Sequence, residues 1–115
     1  MEEKFSIDFL GEAIDFMNSL EFKVRRKIYY NLKKSQLTND PELFKKLDEN
    51  IWEFRTQFEK KHYRLFAFWD KTDNNETLVL ATHGIIKKTK KTPKSEIKKA
   101  QEIRKIYFEL KKQKK

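Results

Sequence analysis

The chain has 115 residues, of which 39% are charged and 37% hydrophobic, and its formal net charge at pH 7 is +9. This length predicts a single small domain, residues 1–115, that is large enough to bury one core. Because cysteine is absent, disulfides and thiolate metal sites are excluded, which favours a reducing cytoplasm. The sequence shows neither an apolar run that could span a membrane nor the apolar segment of a signal peptide. We therefore expect a cytoplasmic protein without a membrane partner.

The positive charge is concentrated towards the C-terminal end. Residues 87–115 contain 13 Lys and Arg against 3 Glu, a net charge of +10, whereas residues 1–86 carry a net charge of −1. A concentrated positive surface favours nucleic acid, an acidic protein or anionic lipid as a partner.

The first part of the chain predicts one strand and two helices. Lys4–Phe9 alternates between polar and apolar residues, as a short strand does. Apolar residues then recur at helical spacing as far as Leu20, and a second helix is predicted from Glu21 to Leu37. The apolar face of the second helix is expected to consist of Phe22, Val24, Ile28, Tyr29 and Leu32. We expect the two helices to form a hairpin over one face of a sheet, followed by a connector over Leu43–Asn50.

Three further strands are predicted between residues 51 and 86. Ile51–Phe58 alternates between aromatic and polar residues, Tyr63–Trp69 is apolar on both faces, and Thr77–Ile86 is a long apolar run. The breaks between them are short, and the second break contains the turn sequence Asp-Asn-Asn at 73–75. These features predict an antiparallel meander.

The register of the first two of these strands decides where two arginines lie. If Phe58 faces Tyr63, Arg55 lies opposite Phe66, and Arg55 and Arg64 emerge on the same face as near neighbours; a slip of one residue would separate them. A single arginine on a strand is typical of a solvated or ion-paired residue. Two arginines on a mostly apolar surface, beside a lysine-rich loop, favour anion binding.

The last strand leads into this lysine-rich loop, residues 87–93, and then into one basic helix. Thr92 suits the N-cap of that helix and Pro93 its first position. One side of the helix carries apolar residues at helical spacing: Ile97, Ala100, Ile103, Tyr107 and Leu110. The element order β-α-α-β-β-β-α predicts an α+β fold, in which a small antiparallel sheet carries an N-terminal helical hairpin on one face and a C-terminal helix.

Four short segments stand in a specific order and spacing: Lys-Lys-Leu at 45–47, Ile-Trp-Glu-Phe-Arg at 51–55, Tyr-Arg-Leu at 63–65 and HGIIKKTKKTP at 83–93. The last is the most specific, since a strand that ends in His-Gly and leads through paired lysines to Thr-Pro and a helix is not a generic pattern. In these segments the chain resembles the RelE/ParE superfamily of toxins from bacterial type II toxin–antitoxin modules. It resembles the HigB-like, phage-derived branch most closely, over essentially its whole length, and this implies a RelE-like fold.

The resemblance implies a toxin that cleaves messenger RNA on translating ribosomes by attack of the 2′-OH on its own phosphate. It implies the ribosome, mRNA and a cognate antitoxin, often of the helix-turn-helix type, as partners, and no small-molecule cofactor. No metal is expected either, because the two histidines and the carboxylates lack ligand spacing. Some relatives use a tyrosine early in the C-terminal segment. Ile97 stands at that place here, so no tyrosine role is carried over.

This reaction needs a proton acceptor, positive charge at the phosphate and a proton donor. Arg55 and Arg64 suit the phosphate, because a guanidinium matches its oxygens, and Glu53 is expected to orient Arg55. The acid and the base stay open between His83, which is equally typical of a structural histidine, and lysines whose pKa is lowered by crowding with other cations. The lysine candidates for catalysis are Lys46, Lys87 and Lys88, and those expected to bind RNA are Lys45, Lys90, Lys91 and Lys94.

Two other interpretations remain open. A ParE-like toxin of the same fold would inhibit DNA gyrase and would need no catalytic cluster. A non-catalytic protein that binds RNA or an antitoxin would show steep salt dependence in its RNA binding but no cleavage.

Overall fold

A computed structural model describes residues 2–72 and 77–113 of the chain. In chain order the elements are β1 (Ser6–Phe9), α1 (Gly11–Asn18), α2 (Phe22–Leu37), β2 (Phe44–Lys46), β3 (Trp52–Phe58), β4 (Lys61–Asp70), β5 (Leu78–Lys87) and α3 (Lys94–Gln113). The turn predicted at residues 73–75 lies outside the described residues.

The strands form one five-stranded sheet in the order β1-β5-β4-β3-β2. The α+β class and the antiparallel meander of β3, β4 and β5 are confirmed. Two details of the prediction are wrong. The sheet is mixed, because β1 runs parallel to β5, and the predicted connector contains the short strand β2, which pairs with β3. Both details depend on pairing between segments far apart in the chain, which local periodicity does not specify.

The turn between β3 and β4 sets the register of the two strands. Glu59 and Lys60 have φ values of 49° and 68°, as expected for a two-residue hairpin turn whose twist matches that of the strands. Phe58 therefore faces Lys61 instead of Tyr63, and the predicted register is wrong by two residues. Because the side-chain period of a strand is two residues, this shift leaves every side chain on its predicted face.

One face of the sheet is covered by the predicted hairpin of α1 and α2. Val24, Ile28 and Leu32 of α2 are buried in this core, together with residues of β3, β4 and β5. Phe22 and Tyr29 were predicted on the same helical face, but they are 66% and 50% exposed. At about 100° of rotation per residue, the stripe that contacts the sheet turns both rings away from it.

A glycine lets α1 approach the sheet closely. A Cβ atom at Gly84 would collide with the ring of Phe16, which packs against the core beneath α1 and α2. The glycine of the His-Gly motif therefore has a packing role in β5.

The C-terminal helix α3 covers part of the opposite face. Ala100 is fully buried in a second core with Phe66 and Phe68, whereas Leu110, predicted on the packed side, is 54% exposed. The helix is also tied to the sheet by Asp70, whose carboxylate accepts hydrogen bonds from the Tyr107 hydroxyl and the Lys111 ammonium group, each at 2.6 Å. Among the described residues, no helix is long and apolar enough to cross a membrane.

Candidate active site

The face that α3 covers only in part carries a positively charged cleft. It has a volume of about 280 Å³ and opens between β3, β4, α2 and the segment before β2. It is lined by Lys27, Asn31, Glu42, Leu43, Arg55, Thr56, Gln57, His62, Arg64 and Lys90. Four of these residues are Lys or Arg and one is acidic, so the cleft suits an anionic ligand.

Two arginines in the cleft share one carboxylate. Arg55 and Arg64 lie directly opposite each other on β3 and β4, and the Nε of each lies 3.5 Å from a different oxygen of Glu53. Like charges at opposed positions of a sheet repel, so the Glu53 carboxylate between them stabilises the pair. A second carboxylate, that of Glu42, lies 3.9 Å from Nη1 of Arg55, but its side chain is 85% exposed, so Glu53 supplies the buried counter-charge of the pair. With two lysines nearby, the cleft keeps an excess of positive charge.

Each arginine donates one hydrogen bond to a backbone oxygen, Nη1 of Arg55 to Pro41 at 3.4 Å and Nη1 of Arg64 to Tyr63 at 3.2 Å. The Nε of Arg55 and that of Arg64 donate no hydrogen bond to any residue within 2–72 and 77–113. The side chain of Arg64 is 2% exposed and forms the floor, whereas that of Arg55 is 16% exposed and lies nearer the opening. Burial lowers the pKa of Arg64 from its ordinary value, Glu53 counteracts this, and Arg55 adds to it. The prediction that both arginines share one face is confirmed.

The lysine-rich loop is tied to this pair by a chain of hydrogen bonds. The Nζ of Lys87 donates to the backbone oxygen of Lys90 at 2.8 Å and to Oγ1 of Thr92 at 3.1 Å. The Thr92 hydroxyl in turn donates to Oε1 of Glu53 at 2.8 Å. The pKa of Lys87 is lowered by burial and by the charge of Arg64, the direction that crowding predicted. Thr92, expected as a helix cap, thus positions both a lysine and the carboxylate.

His62 also lines the cleft, although it was not among the residues predicted for the site. It lies opposite Lys87 on β5 and opposite Gln57 on β3, two residues from Arg64 and therefore on the same face. Its pKa is lowered by burial and further by the positive charges of Arg64, Lys87, Lys90 and Arg55. The imidazole is therefore neutral at pH 7 and can accept a proton. The signal in the sequence was the two-residue spacing to Arg64.

His83 lies in the interior, beneath α3. Its Nδ1 is 2.9 Å from Oγ1 of Thr82 and its Nε2 is 3.0 Å from Oε1 of Glu96 on α3. The ring stacks on Phe66 with a centroid distance of 4.8 Å, and burial lowers its pKa despite the neighbouring Glu96. His83 thus links α3 to the sheet and does not line the cleft.

The remaining lysines named by the sequence analysis are spread over the surface. Lys45 is exposed and lies opposite Glu53, on the face of the arginines. Lys46 lies opposite Trp52, on the other face, and lines a separate cleft of about 630 Å³. Lys90 lines the cationic cleft. Exposed positions in the loop or at the start of α3 are occupied by Lys88, Lys91 and Lys94.

No group of His, Asp and Glu among the described residues has an arrangement that could hold a metal ion. The cleft offers guanidinium forks, an ammonium group and a neutral imidazole on one rigid sheet. This set can bind a phosphate and exchange protons with it.

The fold and the cleft define the class: a small α+β protein, compatible with a RelE-like fold, with a cationic cleft on its sheet. A family model described as "Phage derived protein Gp49-like (DUF891)" matches residues 15–105. The chain belongs to this family of RelE/toxin-like proteins, which is associated with the toxins of toxin–antitoxin systems. An antitoxin partner is implied by that association. A comparison with curated proteins found no significant match.

Proposed function

We propose that this protein is a metal-independent endoribonuclease, the toxin of a type II toxin–antitoxin module, which cleaves messenger RNA on the translating ribosome. The observation that carries the proposal is the arrangement of Arg55 and Arg64 around Glu53, with His62 and Lys87 beside them on the same face. The family supports the toxin class. Cleavage, dependence on the ribosome and the closer kinship to the HigB-like branch are parts of this proposal.

The two arginines bind the scissile phosphate. Their guanidinium groups place fixed positive charge where negative charge develops on the phosphate oxygens in the transition state. Such preorganised donors lower the barrier by about 3–4 kcal/mol each in enzymes. Arg64, held at the floor by Glu53, orients the phosphate, and Arg55 contacts it from the opening.

His62 and Lys87 exchange the protons. Neutral His62 accepts the proton of the 2′-OH, whose oxygen forms a bond to phosphorus. The bond from phosphorus to the 5′ oxygen breaks, and the ammonium group of Lys87 gives that oxygen a proton. The products are a 2′,3′-cyclic phosphate and a 5′-hydroxyl end, with His62 protonated and Lys87 neutral. Glu53 and Thr92 act as positioning residues for the arginines and for Lys87.

The other candidate residues take supporting or different roles in this proposal. Lys90 lines the cleft and Lys45 lies on the same face, so both bind the RNA backbone near the site, together with the exposed Lys88, Lys91 and Lys94. His83, with both ring nitrogens engaged beneath α3, holds the helix in place. Lys46 lies on the other face of the sheet, and cleavage does not depend on it.

The proposal is tested by translation of a defined message in vitro with the purified protein, followed by primer extension. Breaks that appear only while ribosomes translate the message would support every part of it. If free RNA is cleaved as well, the result would support the nuclease activity but would contradict its dependence on the ribosome. An intact message with continued translation would overturn the nuclease, and inhibition of DNA gyrase would be measured next.

A further inference from the structure

A second groove lies beside the cleft and carries exposed aromatic rings. Its volume is about 440 Å³, and it is lined by Phe22, Lys23, Arg26, Lys27, Tyr30 and Phe58. Phe22 and Tyr30 of α2 are 66% and 62% exposed, so the core of this fold does not use them. Exposed rings that cluster in a groove are typical of a surface that binds a ligand.

The charge of the groove is positive throughout. Lys23, Arg26 and Lys27 line it without any carboxylate among the described residues that form its wall. Arg26 lies 5.6 Å from the ring centroid of Phe22, and Lys27 lies 5.4 Å from that of Tyr30. Cations alternate with flat rings along one face of a helix, so the surface offers both charge and stacking.

The groove is continuous with the cleft. Lys27 lines both, and Phe58 ends the strand that carries Arg55. A ligand that places a phosphate between the arginines therefore meets this surface as it leaves the cleft. Single-stranded RNA matches it, because its phosphates pair with the cations and its unstacked bases stack on aromatic rings.

We propose that the groove between α2 and the end of β3 binds single-stranded RNA that extends beyond the cleft, with bases on Phe22 and Tyr30 and phosphates on Lys23, Arg26 and Lys27. This inference rests on the proposed function, which places RNA in the cleft. An acidic protein segment would also match the charge. RNA is favoured because the groove continues from the site where RNA would be cut.

The test compares two RNAs of different length by fluorescence anisotropy. A tetranucleotide reaches only the cleft, whereas a dodecanucleotide also reaches the groove, and 2′-O-methyl groups on both prevent cleavage. The double substitution Phe22→Ala and Tyr30→Ala removes the stacking rings but keeps every charge. The matched control is Tyr29→Ala, which removes a ring that is 50% exposed on the same helix but faces Phe9.

We expect the double substitution to weaken binding of the dodecanucleotide by about tenfold or more, as loss of stacked bases does. Binding of the tetranucleotide and binding by the Tyr29 control should stay unchanged. The inference would be overturned if the double variant bound the dodecanucleotide as tightly as the unaltered protein does. It would also be overturned if the affinities for the two RNAs fell by the same factor. The inference would also be overturned if the double variant lost binding to an acidic peptide but still bound the dodecanucleotide. If the unaltered protein bound neither RNA, this inference would fail, whereas the proposed function would still be decided by cleavage during translation in vitro, so the two failures are distinguishable.

Discussion

Arg55 and Arg64 face each other across two neighbouring strands, with Glu53 3.5 Å from the Nε of each. A buried pair of like charges is unfavourable unless a counter-charge lies between them. The carboxylate offsets only part of the positive charge, and the phosphate of the proposed RNA substrate would offset the remainder. The stability of this part of the sheet and the proposed anion binding therefore depend on the same three side chains.

Arg64→Ala is expected to abolish cleavage while the fold is kept. It removes a guanidinium from the floor of the cleft, so the transition state loses a fixed donor, and cleavage should fall by about a hundredfold to a thousandfold. Because Arg64 is buried, Arg64→Lys is measured alongside: it keeps the charge, loses the fork and should remain severely impaired. Primer extension after translation in vitro gives the rate, and circular dichroism checks the fold.

Lys98→Ala provides the control for this experiment, since Lys98 is an exposed cation on α3 that does not line the cleft. Its rate should match that of the unaltered protein. A folded Arg64→Ala protein that still cleaves the message at the normal rate would refute the placement of the site.

Glu53→Gln should destabilise the protein by about 3 kcal/mol, because it removes the buried carboxylate between the two guanidiniums and leaves only the exposed Glu42 as a counter-charge nearby. Urea unfolding followed by tryptophan fluorescence measures the loss. Added phosphate should restore part of it, because an anion that binds the folded state stabilises that state. Thr92→Ala removes one hydrogen bond to the same carboxylate and should cost only about 1 kcal/mol. Equal stability of Glu53→Gln and the unaltered protein would contradict this account of the arginine pair.

The rate of cleavage should depend on pH through His62. Its pKa lies below the ordinary value of 6.5, with burial as the main cause, and only the neutral ring accepts a proton. The single-turnover rate should therefore rise with increasing pH and should already have reached its plateau at about pH 6.5. His62→Gln should be slow and should lose this rise. A rise in rate that persists unchanged in His62→Gln would assign the proton transfer to another group.

Asp70 should make the attachment of α3 sensitive to acid. Burial opposes ionisation of this carboxyl, but hydrogen bonds from Lys111 and Tyr107, each at 2.6 Å, and from Thr72 outweigh it and hold the pKa of Asp70 well below its ordinary value. The ionised form therefore stabilises the folded state above pH 3.8, the ordinary value, and this contribution is lost as the pH falls further towards the folded pKa.

Asp70→Asn is the variant that tests this attachment. It should lower the free energy of unfolding at pH 7 by about 2 kcal/mol, since the amide cannot replace the charge-assisted hydrogen bond that the buried carboxylate accepts from Lys111, whose side chain is 37% exposed. It should also flatten the acid limb of the stability curve, measured by urea unfolding at several pH values. The exposed Asp15 of α1 supplies a matched control, and Asp15→Asn should leave that limb in place. An unaltered limb in Asp70→Asn would contradict the assignment.

The sequence by itself determined which residues share a face. Alternation along β3 and β4 placed Arg55 and Arg64 on one surface, and a two-residue error in register could not change this, because the period of a strand is two. Helical spacing likewise placed Val24, Ile28 and Leu32 on the buried face of α2, although it also included Phe22 and Tyr29, which are exposed. These properties depend only on neighbours along the chain.

Tertiary structure alone decided how the site is composed. The tight turn at Glu59 and Lys60 placed the arginines directly opposite each other, and the pairing of β4 with β5 brought His62 to Lys87. Pairing with β3 turned Lys46 to the other face, and packing against α3 enclosed His83. Each of these depends on contacts between distant segments, whose free energy is shared among many residues and leaves no periodic pattern in the sequence.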